Sequence, residues 1–385
     1  MDDPVWRAPG MPLLLTMTVL GFSGYAALLA VAPLWAVRGG ADTVGAGLVN
    51  GVLMLFTVLT QLFVPGALRR FGWAPVLVAG MLLLGLPALA HGISDALGPT
   101  LALSAVRGLG FGVLTVTGSA LVAELVEPRR RGKAIGAYGL AIAGPQILFL
   151  SAGPWIAEQL GFWVVFAVAA LPVVAVVPAI GLARMLDHVP EGDEVERAPY
   201  LRLLPPMALL IAVTLAGGAL ITFMAQMSSS AGLTALALLL MSVAAALARW
   251  RIGAWADRYG PRRFIAPLVL VTTAGMAVLA WAVRDPQATE APMLMVGATM
   301  VGISYGGLQN LTLVVTFHAV SRQHYGPASA VWNIGFDAGT GLGAVLVGTV
   351  AAGTSFSTAL LVAGTISLLT LPLALRRRAP GAGLS

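Results

Sequence analysis

Gly253-Ala254-Trp255-Ala256-Asp257-Arg258-Tyr259-Gly260-Pro261-Arg262-Arg263 is a short polar stretch, rich in Gly and Arg, lying between two long apolar runs. A cationic turn between two membrane-length segments marks a hairpin on the cytoplasmic side, where Lys and Arg are retained. A weaker copy occurs about half a chain earlier, with Arg69-Arg70-Phe71-Gly72 aligned on Asp257-Arg258-Tyr259-Gly260. The copy has Pro65 in place of the first Gly and Arg69 in place of the acid. Two copies half a chain apart indicate a duplicated unit.

The rest of the chain agrees with a membrane reading. Of 385 residues, 58% are hydrophobic and only 10% charged, where a soluble domain carries about 25% charged residues. The 46 Gly and 24 Pro suit a bilayer, where Gly lets helices approach and neighbouring helices satisfy the backbone that Pro frees. There is no Cys, which removes disulfides, thiol redox chemistry and thiolate metal sites. Residues 1–10 hold Asp2 and Asp3 and no basic leader, so no cleavable signal is expected.

Counting apolar segments of about 20 residues gives twelve, near 11–36, 44–66, 74–93, 99–123, 133–156, 161–184, 205–227, 231–252, 263–283, 291–317, 327–352 and 355–375. The expected fold is therefore an all-α membrane protein of twelve transmembrane helices in two pseudo-symmetric six-helix bundles. These cover 1–185 and 205–385 and are joined by a cytoplasmic linker over 186–204. With both termini inside, nineteen of the 22 Lys and Arg fall in cytoplasmic segments, Arg249 counted among them. Only Arg38 and Arg284 lie in outer loops, and Arg107 lies within the fourth segment. That bias accounts for the net charge of +6 without a nucleic-acid partner. The linker is acidic, with Asp187, Glu191, Asp193, Glu194 and Glu196, and reads as a solvated tether.

The pattern G-x-x-x-D-R-x-G-x-R-R, met by Gly253, Asp257, Arg258, Gly260, Arg262 and Arg263, resembles the loop signature of the major facilitator superfamily of secondary transporters. The stretch Arg107-Gly108-Leu109-Gly110-Phe111-Gly112 is similar to that family's motif in the fourth helix. The resemblance implies alternating access, with the loop as a conformational latch in which Asp257 caps a helix of the opposite half. It also implies that segments 1, 4, 7 and 10 line a central cavity. On that basis Phe22, Tyr25, Phe111, Phe223, Gln226, Tyr305 and Gln309 are candidate substrate contacts, with Gln146 and Asn333 added as polar groups. Ordinary helix packing is the competing reading for each aromatic.

Ionisable groups deep in a membrane helix are costly and are functional candidates by default. Asp337 lies about eleven residues into segment 11, with Asn333 and Thr340 on the same helical face. Burial and nearby charges compete over the protonation of a carboxyl in such a place. Two roles stand open: a proton-responsive or substrate-contacting group, or a permanent hydrogen-bond partner holding the halves together. Arg107 has the same two readings, proton coupling or a tie between helices. Gly144-Pro145 in segment 5 resembles the antiporter motif of the exporting branches, although Leu148 and Phe149 replace its later glycines.

No metal-ligand cluster and no phosphate-binding loop of the G-x-x-x-x-G-K-[ST] kind occurs, so no metal, cofactor or ATP-driven step is expected. No catalytic set stands out, and an enzyme is not expected. The expectation is a monomeric exporter of a small amphipathic compound in the cell inner membrane, among lipids, driven by proton antiport. Export of a sugar or polar metabolite, lipid flipping, and a scaffold or sensor that moves nothing are the alternatives. The first segment lacks the acid that many proton-coupled exporters carry there.

Overall fold

The computed structural model describes residues 5–127, 131–186, 200–285, 288–321 and 325–375. Most of the acidic linker, Arg129, Arg130, Arg197, Arg322 and Arg376 to Arg378 lie outside the described residues. Twelve helices among the described residues are long and apolar enough to cross a membrane. They are α1 (Met11–Arg38), α2 (Thr43–Phe71), α3 (Trp73–Ala90), α4 (Leu97–Leu125), α5 (Arg131–Gln159) and α6 (Phe162–Ala183). The second set is α7 (Leu204–Met227), α8 (Ala231–Tyr259), α9 (Arg262–Ala282), α10 (Ala291–His318), α11 (Tyr325–Gly353) and α12 (Phe356–Leu375).

Local chemistry sets many of the breaks. Asp42, Ser230 and Ser355 accept hydrogen bonds from the backbone N–H of Gly45, Leu233 and Thr358, at 2.8, 3.3 and 3.2 Å. These caps satisfy otherwise orphaned amides at the starts of α2, α8 and α12. The interruption in α1 at Ala30 precedes Pro33, and those in α6 at Ala170 and Ala175 flank Pro172 and precede Pro178. Proline cannot donate to the helical ladder, which breaks there.

The duplicated signature forms one turn built twice. Gly72 and Gly260 have φ of 78° and 85°, a region favouring residues without a Cβ. Each N–H returns to a carbonyl four residues back, Leu68 and Ala256, at 2.8 Å in both cases. These turns lie at the same end of the helices as Trp6 and Leu186, here named the hairpin face. The opposite, distal face carries the turns near 40, 95, 229 and 354.

Each half is tightened by backbone-to-backbone packing at glycine. Gly108 and Gly112 of α4 sit against the carbonyls of Leu53 and Thr57 in α2. Gly302 and Gly306 of α10 sit in the same way against Met241 and Ala245 in α8. The register that places Gly72 on Gly260 also places Leu53 on Met241 and Thr57 on Ala245. Gly108 and Gly112 correspond to Gly302 and Gly306 at their own constant offset, so the helix pair itself is repeated. Small residues let backbones approach closely in a medium that supplies no hydrophobic drive between helices.

The halves meet along α2 with α11 and α5 with α8. On the α2–α11 seam the contacts run through the distal part. Gly47 faces the Ala344 carbonyl, Gly51 faces Val345, Gly341 faces Met54, and Gly348 faces the Thr43 carbonyl. Asn50 donates to Thr222 in α7 at 2.9 Å and to the Leu29 carbonyl at 2.8 Å. Toward the hairpin face, a methyl added at Gly66 of α2 or at Gly136, Gly139 or Gly144 of α5 meets nothing within 4 Å. The close backbone contacts between the halves named above thus lie in the distal part of the α2–α11 seam.

One expectation needs correction. Segment 8 does not end at 252: α8 continues to Tyr259, so Arg249, counted with the cytoplasmic cations at the end of that segment, lies ten residues inside the helix. At 1.5 Å per residue that is about 15 Å from the helix end. A basic residue near the end of an apolar run reads as a flank, but the helix simply continues through the signature.

Candidate functional site at the centre of the two halves

Asp337 stands twelve residues into α11 and is 3% exposed. Its Oδ2 accepts a hydrogen bond of 2.6 Å from Nε2 of Gln61 in α2, across the interface between the halves. The same Gln61 nitrogen donates to Thr115 Oγ1 of α4 at 3.1 Å, while Gln61 Oε1 is buried without a partner. Asp337 is thus held by a neutral amide from the opposite half, at the inner limit of the distal seam. The expected polar stripe is only partly engaged. Thr340 turns its hydroxyl to its own helix at Phe336 O, 2.9 Å away, and Asn333 is half-buried one turn toward the hairpin face.

Arg107 is fully buried in α4 and donates from Nη2 to the Gly24 carbonyl of α1 at 2.9 Å. Its Nε and Nη1 have no partner, and no ion pair joins it to Asp337 among the described residues. Beside it, Tyr25 and Phe111 stack with centroids 3.7 Å apart and planes 2° apart, and Phe22 packs edge-on to both. All three rings are under 5% exposed, forming a closed aromatic block between α1 and α4. Tyr25 lies within electrostatic range of Arg107, Asp337 and Tyr305, near the junction of the two halves.

The second half carries the matching arrangement. Gln309 of α10, 1% exposed, accepts through Oε1 from Arg249 Nη2 of α8, and its own Nε2 has no partner. Asn310 Nδ2 donates to the Arg249 carbonyl at 2.8 Å, pinning α10 to α8. In the registers that align the glycine packing, Gln61 corresponds to Arg249 and Thr115 to Gln309. The polar tie between α2 and α4 is therefore repeated between α8 and α10, with an arginine where the first half has a glutamine. Tyr305, one turn before Gln309, sits near Phe336 at 6.1 Å between centroids, and Phe336 stacks on Trp332 at 5.7 Å.

Other expected contacts lie elsewhere. Phe223 is fully buried against Phe356 at the distal end, beside Gly47 and Gly348. Gln226, in the last turn of α7, has a buried Nε2 without a partner. Gln146 is half-buried on α5. Asp257 is exposed on the hairpin face and makes no hydrogen bond or ion pair with a described residue. A surface hollow between Leu34, Pro154, Glu158 and Ser228 to Ser230 opens on the distal face, away from these groups. Gln61, Thr115 and Arg249 were not singled out from the sequence, although the register that aligns the two loop signatures also aligns Gln61 with Arg249.

Comparison with known proteins agrees with this architecture. A bacterial homologue of the human lysosomal transporter Spinster, in an inward-facing and unoccupied conformation, superposes with a TM-score of 0.75 over 97% of each chain at 14% identity. The nucleoside transporter NupG gives a TM-score of 0.70 over 95% of this chain and 98% of that one, also at 14% identity. At such identity these matches concern the fold alone. A probable 4-methylmuconolactone transporter of Cupriavidus pinatubonensis is 30% identical over 139 residues, 34% of this chain and 31% of that protein. An uncharacterised MFS-type transporter of Mycobacterium tuberculosis is 27% identical over 122 residues, 31% of this chain and 21% of that protein. The chain thus matches under a third of the length of these two relatives. The sequence profile of the Major Facilitator Superfamily matches residues 13–281 and 207–384. With twelve helices, a repeated hairpin turn and a repeated α2–α4 packing, this chain belongs to the Major Facilitator Superfamily.

Proposed function

We propose that this transporter moves a small amphipathic compound across the cell membrane by alternating access, linked to protons through Asp337. The observation that carries the reading is the 2.6 Å bond from Gln61 to Asp337, which ties the halves together through a buried acidic side chain at their centre. An ionised carboxylate accepts from the Gln61 amide in a charge-assisted bond; protonation leaves a weaker, neutral acceptor and so weakens that tie. Proton binding is thereby connected to how firmly the halves are held. The groups around the carboxyl are Gln61 from α2, Tyr25 from α1 and Tyr305 from α10, and Arg107 of α4 lies in the range of Tyr25. Export by proton antiport, the direction expected from the sequence, follows if the substrate competes with the proton at this carboxyl.

In this reading both termini and the hairpin face are cytoplasmic. Single cysteines at Pro9 and Tyr259 of this Cys-free chain should then resist an impermeant thiol reagent in intact cells. Cysteines at Gly40 and Thr354, exposed on the distal face, should react. Labelling in the reverse pattern would invert the topology.

Asp257 is assigned to the state closed toward the cytoplasm, where it meets a helix N-terminus of the first half. Asp257→Asn removes an attraction of ~0.3–2 kcal/mol, which shifts the population ratio toward the inward-open state by at most about thirtyfold. Spin labels on the hairpin-side ends of α5 and α8 read this as a larger fraction of long distances. An unchanged distance distribution would remove the latch.

A further inference from the structure

We infer that Arg249, with Gln309 and Tyr305, forms a binding site for the anionic group of a small organic anion, so that the transported compound is an amphipathic anion; this rests on the transporter reading above. Arg249 lies about 15 Å from the end of α8, yet it is exposed in the structure. A charge in the membrane interior is costly unless it is paired or faces water. No acidic group pairs with Arg249 among the described residues. Gln309 Oε1 takes one of its donors, and a guanidinium has five. The rest of its donor capacity is left for a ligand.

The neighbouring groups carry donors as well. Gln309 Nε2 is buried, unpartnered and on the same side chain that Arg249 contacts. The Tyr305 hydroxyl is within reach of Gln309 and in the electrostatic range of Arg249. Arg249, Gln309 and Tyr305 adjoin one another where the repeat-related site in the first half has the neutral Gln61–Thr115 pair. Arginine binds planar or tetrahedral oxyanions through its fork of donors. Beside it, Tyr305, Phe336 and Trp332 form an aromatic wall suited to the apolar part of such an anion.

The test is equilibrium binding to purified full-length protein with benzoate, benzenesulfonate and phenyl phosphate as anions, benzamide as neutral analogue and benzyltrimethylammonium as cation. Wild type should bind at least one anion saturably and prefer it to benzamide. In Arg249→Gln the affinity for that anion should fall about tenfold or more, the loss of one charge-assisted contact, while benzamide binding is unchanged and the preference disappears. Arg251→Gln, two residues on and with its guanidinium over the Trp250 ring, should bind like wild type. If Arg249→Gln does not fold, the wild-type preference and Arg249→Lys, which keeps the charge and loses the fork, carry the test. Equal binding of anion and benzamide, no anion binding at all, or an Arg249→Gln protein that keeps the preference overturns the proposal. Short-chain phosphatidylglycerol competing better than every probe assigns the site to a lipid headgroup and overturns it too. No gradient is imposed, so this result is independent of proton linkage at Asp337.

Discussion

Asp337→Asn is expected to abolish gradient-driven accumulation while leaving binding and exchange intact. The substitution keeps the size of the carboxyl and fixes it in a neutral, hydrogen-bonding form, so the protein folds but no longer exchanges a proton with either side. In proteoliposomes with the membrane potential clamped, a gradient of one pH unit drives about a tenfold accumulation when one proton moves per substrate. The mutant should reach a ratio of about one. Both gradient polarities are imposed, with the tightest-binding compound of the aromatic panel as substrate. Accumulation on the acidic side indicates antiport, and accumulation on the alkaline side indicates symport. A mutant that still accumulates tenfold ends the role of Asp337 in coupling, and one that folds only with an acid at this position makes the residue structural. Gln61→Leu removes the donor to Asp337 and should loosen the distal seam without removing the titrating group. Gradient-driven accumulation should fall in that variant too, because the tie through which protonation acts on the halves is gone.

Gly51→Cys with Val345→Cys is expected to stop transport completely when oxidised and to recover on reduction. A Cβ built on Gly51 lies 3.9 Å from Cβ of Val345, close to the ~3.8 Å mean of disulfides. The pair joins α2 to α11 in the distal part, where the halves are in close contact, so a bond there holds these helices together and forbids their separation. The chain has no other Cys, so no competing disulfide forms within it. Transport in the oxidised double mutant should be at background, and in the reduced double mutant it should return. A cross-linked protein that still transports would show that the distal seam does not open during the cycle, and alternating access across it would be wrong.

The membrane class, the number of helices and the internal repeat follow from local features of the chain. Twelve apolar runs cannot be satisfied in any other medium, and the polar signature with its glycine at positive φ encodes the same turn wherever it occurs. Apolar counting recovers each span but misses the last turns of α2 and α8, because helices run on past the hydrocarbon into polar residues. That is why Arg249 reads as a cation at the cytoplasmic end of its segment in the sequence. The membrane depth and polar neighbours of Asp337 are also legible, since one carboxyl in a Gly-rich apolar helix stands out.

What the sequence leaves open is which groups meet. Gln61 is one amide in an apolar run, and the side chain it holds is 276 residues away; no local pattern connects them. Arg107 is equally conspicuous in sequence, but it is spent on the Gly24 carbonyl of its own half rather than on Asp337. The aromatic residues of α1 and α4 cannot be sorted by sequence into cavity or core. Stacking of Tyr25 on Phe111 makes them a packed block, and Phe223 goes to the distal seam. The tertiary structure decides these because close helix approach at Gly108, Gly112, Gly302 and Gly306 fixes the relative rotation of the helices. That rotation, a sum of many small contacts far apart in the chain, determines which polar groups meet and leaves Arg249 exposed.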